Sequence, residues 1–352
     1  MPSTMRAAIL AELHAPLRVD EVQLPDELDF GQVLVRLHYT SICGAQLGEI
    51  DGVKGPDKFL PHLLGHEGSG VVQAIGRGVT QVAPGQRVVL HWMKGAGVQA
   101  DPPRYRWRGR DLNAGWVTTF NDWAVVSENR VTPIPKSLPM DLAPLFGCAV
   151  TTGLGVVTNN AHLGPGESIV VFGVGGVGLN VVQAASLVSA RPIIGVDLYD
   201  SKLDLARSFG ADHVLNSRRD DSAAEIQRIL GPGGADVVVE TTGNTAVIEQ
   251  AYALAGPQGR VVLVGVPKKD HNISIHSLPL HFGKVLTGSY GGQVDPTRDI
   301  PRLLRLYDAG VLQLQDMISC RIKLTDINEG ITRLRLGAIA GRCLIDLEAV
   351  DD

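Results

Sequence analysis

Two sets of residues in this chain have types and spacings that could do chemistry. The first is Gly173-Val-Gly-Gly-Val-Gly178, which lies between the apolar run Ser168-Ile-Val-Val-Phe172 and a helix-like stretch from Val177 to Val188. Gly173 suits a tight turn, Gly175 lets backbone come close to a pyrophosphate, and Gly178 lets helix and strand pack closely. Gly176 and Val177 open the helix, whose unpaired N–H groups attract an anion. The next apolar run, Pro192 to Val196, ends at Asp197, and 197 − 173 = 24 is near the spacing at which a carboxylate meets the ribose hydroxyls of a dinucleotide. A carboxylate there repels a 2′-phosphate, so the expected cofactor is NAD rather than NADP. Lys202 is placed to reach the same ribose, with simple solvation as the alternative.

The second set is Cys43 in Ser41-Ile-Cys43, His66 and Glu67 in Gly65-His-Glu-Gly68, and Cys148 in Phe146-Gly-Cys-Ala149. Two thiolates and an imidazole make a three-ligand zinc site with a fourth position left for water or substrate. Widely separated Cys and His residues are more often structural, so spacing alone leaves burial open. Glu67 is either an alternate ligand or a group that supports the ligands.

These residues need elements to hold them. Residues 1–149 read as β-rich and turn-rich, with strands at Val33 to Leu37, Gly68 to Ile75, and around a Pro84-Gly85 turn between Val82 and Val89. Residues 150–289 alternate strands and helices. Strands at 168–172, 193–196, 213–215, 235–240, 260–266 and 285–287 make six, which predicts a doubly wound parallel sheet. Residues 290–352 carry helix-like Ile300 to Ala309 and Asp326 to Leu336 and a final strand Arg342 to Leu347, expected to return to the first domain.

At 352 residues the chain suits two domains, and a 44% hydrophobic, 20% charged composition is that of a globular protein. A net charge of −5 argues against nucleic acid as the main partner. With no run of membrane-spanning length and no leader-like start, the reading is a cytoplasmic protein with no membrane partner. Four scattered cysteines, Cys43, Cys148, Cys320 and Cys343, do not make a disulfide framework.

Taken together, these motifs resemble the zinc-dependent medium-chain alcohol dehydrogenase family. The likeness rests on Ser41-Ile-Cys43-Gly44, Gly65-His-Glu-Gly-Ser-Gly70, Val82 to Val88, Thr118-Thr-Phe120, Gly147-Cys-Ala-Val-Thr-Thr-Gly153, the glycine loop, Asp197 with Lys202, and Gly288-Ser-Tyr-Gly-Gly292. The Thr-Phe segment and the C-terminal half lean toward the animal-type and glutathione-dependent formaldehyde dehydrogenase branch. The resemblance implies a GroES-like catalytic domain, a Rossmann coenzyme domain, and a homodimer joined through the coenzyme domains by the run Val285 to Tyr290. It implies Cys43, His66 and Cys148 as ligands of one catalytic zinc, with Glu67 beside them. Thr152 would approach the nicotinamide, Val264, Gly265 and Val266 would line its pocket, Arg342 would meet the pyrophosphate, and Trp92 would wall the substrate pocket unless it is core. The implied reaction is hydride transfer between NAD(H) and a small alcohol, aldehyde or ketone. Reduction of a conjugated alkene or iminium, and a non-catalytic nucleotide-binding role, are the alternatives.

Three departures stand out. No cysteine lies between His91 and Trp116, so the family's structural zinc lobe is missing, and Arg104-Tyr-Arg-Trp-Arg-Gly-Arg110 lies there instead, as an anion site or, more ordinarily, a solvated or subunit-contacting lobe. Ala45 stands where many relatives carry a relay hydroxyl, and Gln46 and Gly48 stand where relatives often carry Asp and His. Gly44 replaces an arginine that often grips the pyrophosphate.

Overall fold

In the computed structural model, residues 2–348 are described. The chain divides into two units. The first runs to Cys148 and adds Asp295–Ala309 and the segment from Met317 onward, and the second is Ala149–Val294 with Gly310–Asp316.

The first unit is built from two sheets. The larger is centred on the eleven-residue strand Gln32–Ile42, whose mostly buried side chains pack on both faces. It pairs antiparallel with Gly68–Ile75, Trp123–Ser127 and Arg342–Asp346. Register does the positioning. Thr40 lies opposite Gly68 and Ile42 opposite Cys343, so Cys43, Glu67 and Arg342 all leave strand ends at one place. The final strand also pairs in parallel with Ile318–Lys323. The smaller sheet runs, in spatial order, His62–Leu63, Thr4–Leu10, Arg18–Gln23, Tyr105–Trp107 and Arg110–Leu112.

Residues 104–112 are therefore a hairpin. Arg108 and Gly109, with φ of 51° and 75°, form its two-residue turn, as expected when the strand twist demands positive φ at both positions. The alternation of cations and aromatics is strand periodicity: Tyr105 and Trp107 join the core while Arg106 and Arg108 face out. The Tyr105 hydroxyl accepts the Val125 N–H at 2.9 Å, and the Trp107 indole donates to Asp20 at 2.8 Å.

The second unit holds six parallel strands in the spatial order His213–Asn216, Ile193–Asp197, Ile169–Phe172, Ala235–Glu240, Ala255–Leu263 and Val285–Gly288. The Val and Ile runs of the central strands are buried on both faces, with Val170, Ile194, Val238 and Val261 fully enclosed. Each such side chain contributes about 1.5–3 kcal/mol through burial. The order reverses between Ile169–Phe172 and Ala235–Glu240, and ligands of such sheets bind outside the carboxyl ends at that switch point.

Two expectations need correction. The strand predicted over 260–266 ends at Leu263, because the N–H groups of Val264 and Gly265 both turn to the Glu240 carbonyl, at 2.7 and 3.0 Å. Residues 290–352 do not return as one piece. Gly310–Asp316 stays with the second unit, where Gln183 bonds both the N–H and the carbonyl of Gln313, at 2.6 and 3.0 Å.

His91, which ends the buried run from Val88, gives the first unit an acid-sensitive point. Its Nδ1 lies 2.8 Å from the Met93 carbonyl and its Nε2 2.9 Å from the Thr132 hydroxyl, and burial pushes its pKa down to about 4. Between that value and about 6.5 the unfolded chain binds the extra proton and the folded chain does not, so stability rises with pH through this window. Denaturation midpoints measured from pH 7 to pH 4 should show a loss of up to about 3 kcal/mol from this residue, and the slope should flatten in His91→Asn.

Candidate active site

The ligand atoms of Cys43, His66 and Cys148 lie within 4.8 Å of one another. A tetrahedral zinc needs roughly 3.5–4 Å between them, so the cluster closes with sub-ångström to ångström adjustments. Each arrives from a different element. Cys43 follows the central strand and caps the helix Gly44–Ile50, His66 precedes the strand Gly68–Ile75, and Cys148 follows the short helical turn Ala143–Gly147. Gly147 makes the last approach feasible, because a Cβ there would sit 2.9 Å from Glu67 Cβ.

The chemistry of the donors fits a metal. His66 Nε2 is buried with no hydrogen-bond partner, while Nδ1 is 2.6 Å from Gln46 Nε2. A hydrogen bond from Cys148, with Arg342 and His66 nearby, holds the Cys43 thiol well below its ordinary range, and the same bond with burial pushes Cys148 up. A soft cation that takes the place of the thiol protons is what two sulfurs and an imidazole this close together suit.

Glu67 is fully buried, and burial pushes its carboxyl up. Its Oε1 accepts from the Ser41 hydroxyl at 2.5 Å and from Arg342 Nε at 3.1 Å, while Oε2 has no partner. Arg342 also places Nη2 3.6 Å from Cys43 Sγ. The residue assigned by resemblance to the pyrophosphate is thus committed in this structure to the ligand cluster. Trp92 meets His66 edge-on, with ring centroids 6.4 Å apart. Ala45 and Gly44 are exposed at the start of the helix after Cys43, and no hydroxyl stands at either position.

In the second unit, the glycine loop follows Ile169–Phe172 and opens the helix Gly176–Leu187. Gly173 has φ of 83°, and a Cβ on Gly178 would collide with the Gly173 carbonyl, so strand and helix touch there through backbone. Beside Gly175 the space is open, as a close-approaching phosphate requires. Asp197 ends the neighbouring strand. Its carboxylate accepts the N–H groups of Val174, Leu198 and Tyr199, at 3.0, 2.7 and 3.2 Å, so it also braces the glycine loop. Lys202 Nζ lies 4.0 Å from Asp197 and 4.9 Å from the Tyr199 ring centroid. Val264, Gly265 and Val266 lie just past the end of Ala255–Leu263, and the Thr152 hydroxyl is buried without a partner.

Residues 29–136 match the family described as "Alcohol dehydrogenase GroES-like domain", and residues 176–309 match "Zinc-binding dehydrogenase". The chain is 31% identical to an S-(hydroxymethyl)glutathione dehydrogenase of Paracoccus denitrificans, over 94% of this chain and 97% of that one. It is 33% identical to the putative alcohol dehydrogenase D of Mycobacterium tuberculosis, over 94% and 96%. This chain belongs to the zinc-dependent medium-chain alcohol dehydrogenase family. Among solved structures, benzyl alcohol dehydrogenase from Acinetobacter calcoaceticus superposes with a TM-score of 0.88 at 28% identity, covering 98% of this chain and all of that one.

Within this family frame, some site residues escaped sequence reasoning. Ser41 steadies Glu67, and Arg218 stacks 4.4 Å from the Tyr199 ring centroid beside Asp197. Glu49 is a half-buried carboxylate on the helix after Cys43, pushed up by burial against the nearby His66, His62 and Lys54 charges. No spacing rule marks these. Gln46 carried a signal, since it sits three residues after the helix-capping Cys43, where a Gln side chain bonds back to the cap.

Proposed function

We propose that this family member is a zinc- and NAD-dependent dehydrogenase that interconverts an alcohol with its aldehyde or ketone. The observation that carries the reading is the buried Cys43, His66 and Cys148 triad with an unpartnered imidazole nitrogen, in a chain that also holds the glycine loop and Asp197. When bound, zinc supplies polarisation of the substrate oxygen, and NAD supplies the hydride acceptor.

The chain's own residues do the rest. Cys43 and Cys148 bring negative charge to the site, and Arg342 offsets it while orienting Glu67. Glu67 keeps one oxygen free as an auxiliary acceptor, and Trp92 forms an apolar wall against His66. The N-terminus of Gly176–Leu187 receives the pyrophosphate, Asp197 and Lys202 take the adenosine ribose, and Thr152 with Val264 to Val266 serve the nicotinamide end. One zinc is held per chain, since Cys43, His66 and Cys148 are the one ligand group found among the described residues and the hairpin of residues 104–112 occupies the lobe without thiols.

A homodimer through the second unit is supported by an exposed apolar edge. Val285–Gly288 ends the sheet, and Leu278, Phe282 and Val285 are 53%, 68% and 43% exposed. The four cysteines are buried and none is in a disulfide, which suits a reducing compartment such as the cytoplasm.

Metal analysis of the purified protein should find one firmly bound zinc per chain, and Cys148→Ala should release most of it. Two equivalents in the unmodified protein would contradict this. Catalytic efficiency should favour NAD over NADP by at least about tenfold, roughly 1.4 kcal/mol, and Asp197→Ala should narrow the gap; equal use of both cofactors would remove Asp197 from its role.

Ala45 offers no hydroxyl to carry the substrate proton, so that proton leaves through water, and general acid–base help is worth about 10²- to 10⁴-fold. Ala45→Ser should raise alcohol oxidation at neutral pH or flatten its pH profile, with NAD affinity little changed. Large loss of activity with zinc content intact would instead favour reduction of a conjugated alkene or iminium.

A further inference from the structure

The helix Gly44–Ile50 starts at Cys43, and of its residues only Gln46 and Glu49 carry polar side chains. Gln46 is committed, with Oε1 accepting the Cys43 N–H at 3.0 Å and Nε2 lying 2.6 Å from His66 Nδ1. The Glu49 carboxylate has no hydrogen-bond or ion-pair partner among the described residues. Its position makes that unusual. It is half-buried, and burial pushes its carboxyl up. It stands in the last turn of its helix, where the free carbonyls disfavour an anion. Neither nearby cation closes on it, since His62 is held by Asp57 at 2.9 Å and Lys54 is exposed. Asp51, two residues on, is answered by Arg335 through two bonds of 2.7 Å. A half-buried carboxylate that no part of the fold uses marks a functional group.

The helix aims it at the ligand cluster. At about 100° per residue Glu49 falls between Ala45 and Gln46 on the helix surface, and helical side chains lean toward the N-terminus. The carboxylate is therefore carried back over Ala45 toward Cys43. The charges that act on it agree, with His66 foremost and Cys43 among them. The surface beside it is open, because Gly44 and Ala45 are exposed and a Cβ on Gly44 would meet nothing within 4 Å. A substrate whose carbinol oxygen lies at the cluster meets Glu49 with an adjoining part of its own chain. An alkyl group there would dry the carboxylate and leave it without a donor, whereas a hydroxyl or an ammonium would satisfy it.

We infer that Glu49 is a specificity-determining residue that selects alcohols carrying a second hydrogen-bond donor, a hydroxyl or an ammonium, close to the carbinol. This rests on the alcohol dehydrogenase reading of the cluster and names the substrate class for it. A hydrogen bond to an ionised acceptor discriminates by about 10- to 100-fold against a substrate that lacks the donor.

The test uses the full chain loaded with zinc and a matched set of alcohols: propanol, propylene glycol, trimethylene glycol and propanolamine. The glycols place a second hydroxyl on the next carbon or one further, and propanolamine carries an ammonium at the far carbon. In the unmodified protein kcat/KM should favour at least one donor-bearing alcohol over propanol by about 10- to 100-fold. Glu49→Ala should bring that ratio close to one, through a rise in KM for the donor-bearing alcohol. Glu49→Gln separates the two donors. Its carbonyl still accepts from a hydroxyl and keeps part of a glycol preference, whereas a preference for ammonium is lost. No preference in the unmodified protein, or the same preference in Glu49→Ala, would overturn the inference. So would a loss carried by kcat together with lower zinc content, which marks a merely structural role. Should Glu49→Ala not fold, a preference that Glu49→Gln leaves at full strength overturns it equally. Calorimetric binding of the four alcohols without NAD repeats the comparison independently of turnover. If none is oxidised while donor-bearing alcohols bind in a way that depends on Glu49, the dehydrogenase reading fails and the assignment of Glu49 stands.

Discussion

The buried ion pair between Glu67 and Arg342 is the constraint on which the first unit depends. The two side chains are 0% and 5% exposed and 3.1 Å apart. Removing one partner of such a pair leaves an uncompensated charge in the interior, at a cost of about 3–5 kcal/mol. Arg342 opens the last strand, and Glu67 directly precedes a strand near the chain's beginning. The pair therefore ties the end of the chain to Gln32–Ile42 and Gly68–Ile75, the elements that deliver Cys43 and His66. The Arg342 guanidinium also faces the buried Cys43 sulfur and favours its thiolate form. The same group that completes the fold completes the electrostatics of the ligand cluster.

In the second unit, backbone plays the corresponding part. The contact between Gly173 and Gly178 brings the helix onto the strand, and Asp197 fastens the loop between them by accepting the Val174 N–H. A residue read from sequence as a ribose ligand thus has a structural task as well. Its accepting capacity is already partly used before any diol arrives, which makes its position more sharply defined than a free surface carboxylate would be.

Much of this was legible in the residues. The strand Ala235–Glu240, the strand Gly68–Ile75 and the glycine loop follow from local pattern, because apolar runs and turn glycines act over short spans, whereas Cys43, His66 and Cys148 lie far apart and were grouped through the family resemblance. What escaped depends on partners far along the chain. The end of the fifth parallel strand at Leu263 was missed because Val264 and Val266 continue an apolar run, and only the Glu240 carbonyl turns the backbone away. Gly310–Asp316 was misassigned because Gln183, some 130 residues earlier, holds it. Arg342 was given a role by resemblance, and its neighbours Glu67 and Cys43 became visible once register was known.

The hairpin of residues 104–112 has a consequence for how the protein withstands chemical stress. Its lobe is closed by ladder hydrogen bonds, by the enclosed Tyr105 and Trp107, and by Asp20, none of which is a thiol or needs an ion. A lobe knotted by four thiolates loses its shape when its ion is taken or its sulfur oxidised. The shape of the hairpin of residues 104–112 is thus independent of whatever happens at the Cys43, His66 and Cys148 cluster.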